Sequence, residues 1–417
     1  MRILKLTAAL EQKLLAARLL PDRHAMRVAS RIVADVRRRG DSALYGWTKT
    51  LDGLRVGAAT LWVSKREMRE AARQARPEYL RAVCHAARNI RRVAEQQLPR
   101  PWSLRVEPGV TVRQLVRPID SVCCYVPGGN ASLVSTLLMT AVPAQVAGVP
   151  RIVAVCPRPN KELLAAASLL GVHQIARIGG AQAVAAFAYG TRSIPRVEKI
   201  CGPGNRYVTA AKQLVSADCA IDLPAGPTEA MVLADNGNPQ WIAADLVAQA
   251  EHATDAGSFL VTTSRTLAEQ VAVQVALQLR ALPLANAAHR SVEVSGAILV
   301  ADSMTAACAF VNRFAPEHLT LLTEPRSLLR KIDSCGAIFL GSLSAQALGD
   351  FISGGNHVLP TAGWARRRGG LSSADFVKCL SVQRVTRRGF ARLAGGAETL
   401  AAAESLEAHG HAVRIRR

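Results

Sequence analysis

From residue 121 onward the chain repeats one pattern: a strand-length apolar run, a short turn, then a segment with helical periodicity. Runs at 121–126, 151–155, 174–178 and 199–201 alternate with helical segments at 132–147, 161–170, 181–189 and 205–215. A second series has strands at 230–233, 258–262, 296–300 and 336–339, with helices at 239–253, 264–279 and 303–312 between them. Strands that alternate with helices pair in parallel and carry helices on both faces. The rhythm therefore predicts an α/β protein built from two doubly wound units joined near residue 228. Residues 1–100 read as helices, among them 23–39 and 65–97, and residues 390–408 read as a helical tail.

At 417 residues and 49% hydrophobic, the chain can bury several cores, enough for two to four domains. No run approaches the roughly 18 uninterrupted apolar residues that a membrane span needs. Arg2, Lys5, Glu11, Lys13 and Arg18 interrupt the first 20 residues, which read as an amphipathic helix rather than a signal peptide. A cytoplasmic protein with no membrane partner is expected. The nine cysteines are scattered, form no C-x-x-C and sit mostly in apolar runs, as small core residues of a reducing compartment do. The net charge of +21 comes mainly from arginine spread along the chain. Without a zinc-finger spacing, an aromatic RNA-recognition signature or a heptad-linked basic region, a solvated arginine surface is expected rather than a nucleic-acid partner. Such a field can still favour anionic cofactors.

Three glycine-rich turns close strand-like runs and open helices: Pro127-Gly128-Gly129-Asn130, Gly179-Gly180-Ala181-Gln182 and Gly202-Pro203-Gly204-Asn205. Each presents free backbone N–H groups where open α/β sheets hold ligands, although none matches G-x-G-x-x-G. Gln249 and His252 stand three apart at the end of a helical segment, which puts them on one face. Both can ligate zinc, but they make only half a site, and a polar surface pair is the plainer reading. The missing donors can come from Asp350, His357 or His409. Glu317 and His318 offer two proton acceptors of different basicity; alternatively, Pro316 and Glu317 simply begin a helix.

Taken together these motifs resemble the histidinol dehydrogenase family. Tyr125-Val126-Pro127-Gly128-Gly129, the Gly179 and Gly202 turns, Gln249 to His252, Pro316-Glu317-His318-Leu319, Gly355-Asn356-His357-Val358-Leu359-Pro360-Thr361 and Glu404 to His409 occur in that family's order and spacing, from about residue 25 to the end. The resemblance implies NAD-dependent, zinc-requiring four-electron oxidation of L-histidinol to L-histidine, at the end of histidine biosynthesis, by a homodimer with shared active sites. It implies two Rossmann-like doubly wound domains with small helical N- and C-terminal extensions that build the dimer. The expected divisions are 1–20 as the N-terminal extension, 21–124 with 229–371 as a discontinuous first domain, 125–228 as the second, and 372–417 as the dimerisation tail. By similarity Gln249, His252 and Asp350 bind zinc from one subunit and His409 from the other. Glu317 and His318 match the acid–base pair, while Thr228, His357 and Glu404 match substrate contacts alongside the metal ligands. Tyr125, Gln182 and Asn205 match residues that contact NAD.

Three positions depart from the family's pattern: Thr228 replaces the usual serine, Ala253 an acidic residue, and Gly355 a bulkier one. They leave the reaction class in place and touch substrate choice. The rival enzyme is a paralogue acting on another small alcohol, such as a sulfonated diol. His357, Glu404 and His409 speak against it, since they suit an imidazole-bearing amino alcohol. A rival of another class, a catalytically silent arginine-rich binding protein, predicts no zinc and salt-sensitive nucleic-acid binding.

Overall fold

A computed structural model describes residues 1–19, 22–128, 133–223, 226–323 and 325–417. Its strands, in chain order, are β1 (Arg2–Lys5), β2 (Trp102–Glu107), β3 (Val110–Pro118), β4 (Ser121–Tyr125), β5 (Arg151–Val155), β6 (Ile175–Ala176) and β7 (Lys199–Cys201). There follow β8 (Ala220–Ile221), β9 (Glu229–Leu233), β10 (Gly257–Thr262), β11 (Gly296–Val300), β12 (His318–Leu321), β13 (Ala337–Leu340) and β14 (Val377–Val385). They form two parallel sheets, ordered β6-β5-β4-β7-β8 and β1-β11-β10-β9-β12-β13, and an antiparallel sheet β14-β3-β2. In each parallel sheet the first strand of the series, β4 or β9, lies inside, and the strand order reverses beside it. That reversal leaves a crevice between β4 and β7 in one sheet and between β9 and β12 in the other. The expected pair of doubly wound units is present.

The parallel strands are buried on both faces, which is why β4, β9 and β10 read as continuous runs rather than alternating ones. Helices cover them where the caps say they should. Asp22, Asn160, Asn205, Ser264 and Ser303 each accept a backbone N–H at the start of a helix. Fully buried side chains such as Phe187, Phe310 and Leu137 each contribute about 2–3 kcal/mol by leaving water. Six of the nine cysteines are buried, in keeping with core roles.

Packing assigns the N-terminal half differently from the expectation. Ala25, Ile32, Val36 and Leu44 pack with Tyr125 and Phe187, and Met68, Val83 and Ile90 with Val122 and Leu137. The helices between residues 23 and 97 therefore cover the β4 sheet rather than complete the β9 sheet, and a boundary at 125 would cut through β4. What completes the β9 sheet is β1, parallel to β11, with Leu10, Leu14 and Leu15 of the helix Ala8–Leu19 against its core. The return segment also crosses over: Val358, Leu371 and Phe376 join the core of the β4 sheet. Amphipathic periodicity says that a helix has a buried face, not which sheet receives it.

Local differences have local causes. The predicted 65–97 helix is two, Lys65–Gln74 and Pro77–Gln97, because Pro77 disfavours helical backbone at the residue before it. The tail is likewise split into Arg387–Ala403 and Glu407–Arg414. The helix bearing Gln249 ends at Ala250, so His252 sits in the following turn rather than one helical step further along. His318 opens a strand, which removes the helix-start reading of Pro316 and Glu317. The second half of the first glycine-rich turn, Gly129-Asn130, lies outside the described residues. No helix among the described residues is long and apolar enough to cross a membrane.

Candidate functional site

The two glycine-rich turns that are fully described lie at the carboxyl edge of the β4 sheet. Gly202, directly after β7, has φ +119, and a Cβ there would stand 2.2 Å from the carbonyl oxygen of Tyr125. Only glycine lets the ends of β4 and β7 approach this closely. A buried ion pair holds the turn. Lys212 bonds the Asp222 carboxylate and donates to the Gly202 carbonyl at 2.9 Å, while the Gly202 N–H donates to Asp222 at 2.7 Å. Lys212→Met should therefore strand a buried carboxylate and lower folding stability by about 3–5 kcal/mol, read by urea denaturation; an unchanged midpoint would mean that the pair carries no weight.

Tyr125, Gln182 and Asn205 all border this edge. The buried Tyr125 hydroxyl accepts the Gly180 N–H at 2.9 Å, which leaves its own proton to donate. Gln182 is fully buried; its amide nitrogen donates to Asp52 at 2.9 Å, and its carbonyl oxygen has no hydrogen-bond partner among the described residues. Asn205 is exposed and accepts the N–H groups of Tyr207 and Val208. An unpartnered buried oxygen, a spare hydroxyl proton and the start of the helix Gly180–Tyr189, which has no side-chain cap, meet at one crevice and suit a polar, anionic dinucleotide. Asp52, which fixes the Gln182 amide, was not foreseen; nothing local in the sequence joins residues 130 apart.

The second cluster lies at the amino edge of the β9 sheet, the edge opposite to the one that open α/β sheets generally use. Glu317 and His318 begin β12, beside the start of β9. The Glu317 carboxylate accepts the Thr228 hydroxyl at 2.5 Å and the Glu229 N–H at 2.9 Å. The Thr228 hydroxyl in turn accepts from the Gln249 amide at 2.9 Å, and the Gln249 oxygen accepts from Gln346 at 2.7 Å. A polar chain thus runs from Gln346 to Glu317. The threonine hydroxyl supplies the middle link, so the departure at Thr228 keeps the polar function of serine. Gln346 is a further residue that the motifs missed.

His318 is buried, stacks on Phe339, and places Nδ1 3.3 Å from the Glu229 carbonyl. A carbonyl only accepts, so that contact puts a proton on Nδ1, and in the neutral ring Nε2 then carries the free lone pair. Nε2 has no hydrogen-bond partner among the described residues, although it lies 3.4 Å from an Asp350 oxygen. His357 is oriented in the same way, its Nδ1 2.8 Å from the Asp350 carbonyl. Burial alone would lower the His318 pKa, but the Glu317 and Asp350 carboxylates outweigh it and hold it above the ordinary value. Burial raises Glu317, against the pull of His318 and its two hydrogen bonds. For Asp350, burial is overcome by His318, with help from His357 and His252, and the carboxyl lies below its usual range.

Among the described residues, no three His, Cys, Asp or Glu side chains stand close enough together to hold a metal ion alone. A site completed by the Gln249 amide oxygen and by a ligand from another chain falls outside that description. The donors Gln249, His252 and Asp350 mix oxygen and nitrogen as zinc accepts. They gather at the negative end of the helix Pro239–Ala250, where a cation is favoured. The unpartnered His318 nitrogen facing Asp350 marks the same spot as incomplete. The residues therefore fit the metal. Glu404 and His409 are elsewhere: both are exposed, on the pair of C-terminal helices. Gly355 has open space where a Cβ would be, so that departure displaces nothing.

Two doubly wound units, one with an open switch-point crevice and one with a buried base and carboxylate at its amino edge, define a two-unit α/β enzyme built for proton transfer. The sequence matches the histidinol dehydrogenase family over residues 18–417. It is 46% identical over 401 residues to a histidinol dehydrogenase of Geobacter metallireducens, covering 94% of this chain and 92% of the relative. It is also 46% identical over 393 residues to one of Methanothermobacter thermautotrophicus, with 92% of each chain covered. The crystal structure of histidinol dehydrogenase from Elizabethkingia anophelis is similar with a TM-score of 0.94 at 36% identity, covering 100% of this chain and 98% of that one. The chain belongs to the histidinol dehydrogenase family.

Proposed function

We propose that this protein oxidises L-histidinol to L-histidine through the aldehyde, with two NAD consumed per substrate and one zinc per site. The observation that carries the reading is His318, buried with Nδ1 tied to a carbonyl and Nε2 bare, beside a Glu317 carboxylate gripped by two donors. A neutral imidazole and a separate carboxylate are what two distinct proton removals require.

Gln249, His252 and Asp350, with His409 given by a second copy of the chain, would hold the zinc. When bound, the metal would supply a Lewis acid toward the substrate, and NAD, held by Tyr125, Gln182 and Asn205, would supply the hydride acceptor. His318 Nε2 takes the hydroxyl proton as the carbinol carbon gives up its hydride, which leaves the aldehyde. Glu317 takes a proton from water as the water oxygen adds to the aldehyde carbon, giving the monoanion of the hydrate. Loss of a second hydride and of the remaining hydroxyl proton from that anion yields the carboxylate. Thr228 and the Glu229 N–H hold Glu317 throughout, and burial keeps bulk water from competing. His357 contacts the substrate, and so does Glu404, given like His409 by a second copy of the chain.

The test is an assay of the zinc-loaded protein with L-histidinol and NAD. Two NADH per histidine are expected; one NADH with aldehyde accumulating, or no turnover, would overturn the reading.

A further inference from the structure

Arg18 lies in the last turn of the helix Ala8–Leu19, far from every motif in the sequence, yet its guanidinium is buried behind the proton-transfer pair, with 12% of the side chain exposed. Its Nε donates to Glu229 Oε1 at 2.7 Å, and Nη2 donates to the second oxygen of the same carboxylate. Nη1 donates to the carbonyl of Phe314, and the guanidinium carbon lies 3.6 Å from the centre of the Phe314 ring. Both contacts lead to the site. Glu229 contributes the N–H that grips Glu317 and the carbonyl that orients His318. Phe314 is the last residue of the helix Met304–Phe314, before Ala315 turns the chain at φ +50 into Pro316, Glu317 and His318. The last carbonyls of a helix need donors from outside the helix, and Arg18 satisfies this one.

We infer that Arg18 is a positioning residue that clamps the start of β9 to the turn before β12 and so holds Glu317 and His318 in register. The inference rests on the proton-transfer roles proposed above. A planar fork is needed, because one side chain must grip a carboxylate at two oxygens and still reach a carbonyl. The positive charge matters as well. Without it, Glu229 becomes a buried unpaired carboxylate close to Glu317, an arrangement that proteins tolerate poorly.

The test compares wild type, Arg18→Lys, Arg18→Met and Arg18→Met/Glu229→Gln as zinc-loaded proteins. Histidinol and histidinal are assayed separately, and thermal melting is followed alongside. Arg18→Met should lower kcat for histidinal oxidation about 30-fold, with KM within about threefold, because the loss falls on chemistry rather than binding. Adding Glu229→Gln should recover about tenfold of that loss, since the stranded charge is gone. Arg18→Lys keeps the charge but loses the fork, and should remain folded with kcat down about fivefold. An Arg18→Lys protein that melts like wild type and turns over at its rate overturns the inference, even if the methionine variant fails to fold. So does an Arg18→Met loss shared equally by kcat and KM and not recovered in the double variant, which would mark a packing role. If wild type itself oxidises neither compound, the functional reading fails instead.

Discussion

Replacing His318 with alanine is expected to slow oxidation of histidinol by about 10²–10⁴-fold, the span that a positioned general base supplies. Its Nε2 is the one buried imidazole nitrogen at the β9–β12 edge with a free lone pair and no hydrogen-bond partner among the described residues. Alanine leaves no acceptor for the hydroxyl proton there. Glu317→Gln should behave differently. It keeps an acceptor oxygen for Thr228 and the Glu229 N–H, but it cannot take a proton from water. Its loss should therefore fall on histidinal, with oxidation of histidinol to the aldehyde within about tenfold of wild type. Single-turnover formation of NADH from each compound separates the two. If both variants lose both steps equally, the separate proton roles are wrong, and the pair acts as a single base with a positioning partner.

How much of this was legible in the sequence depends on the range over which each interaction acts. The interior strands β4, β5, β9, β10 and β11 stood out because burial on both faces demands continuous apolar runs, and their helices because one buried face gives them helical periodicity. β6 and β8 are two residues long, too short to carry a period. β1 is short, and Ile3 and Leu4 flanked by Arg2 and Lys5 looked like part of a helix. The antiparallel β2, β3 and β14 form a largely exposed sheet, where side-chain burial leaves little pattern. Register between β3 and β14 is set by pairing residues more than 250 apart.

The site divides along the same line. Glu317, His318, Gln249 and Asp350 could be picked out because their neighbours form motifs. Arg18 and Gln346 act on them only through the fold: Arg18 meets Glu229 across 211 residues, and Gln346 meets Gln249 across 97. The grouping of helices between the two sheets escaped for a related reason. Periodicity fixes the apolar face of the helix Arg23–Arg39, whereas its partner is chosen by shape complementarity that only the assembled sheet provides.

His409→Ala is expected to abolish turnover and His318→Ala to cut it by at least about 10²-fold, but mixing the two impaired proteins under conditions that exchange subunits should restore activity. His409 is exposed on the helix Glu407–Arg414, which packs on the preceding helix Arg387–Ala403 rather than on the cluster around Asp350. Apolar side chains are exposed along the same tail and the adjoining strands, among them Leu400, Ile415, Leu380 and Trp102. A surface of this kind on a charged protein is one that a second copy would cover. If His409 completes the metal site of the opposite subunit, a mixed dimer keeps one whole site: His318 and the other ligands come from one chain, His409 from its mate. Random pairing makes half the dimers mixed, each with one of its two sites intact, so activity should return to about a quarter of wild type. Bound zinc should stay near half of wild type before and after mixing, since each mixed dimer keeps one complete ligand set. A ligand acting within its own chain predicts a different outcome. Each mixed dimer would then carry one site without His318 and one without His409, and mixing would restore nothing.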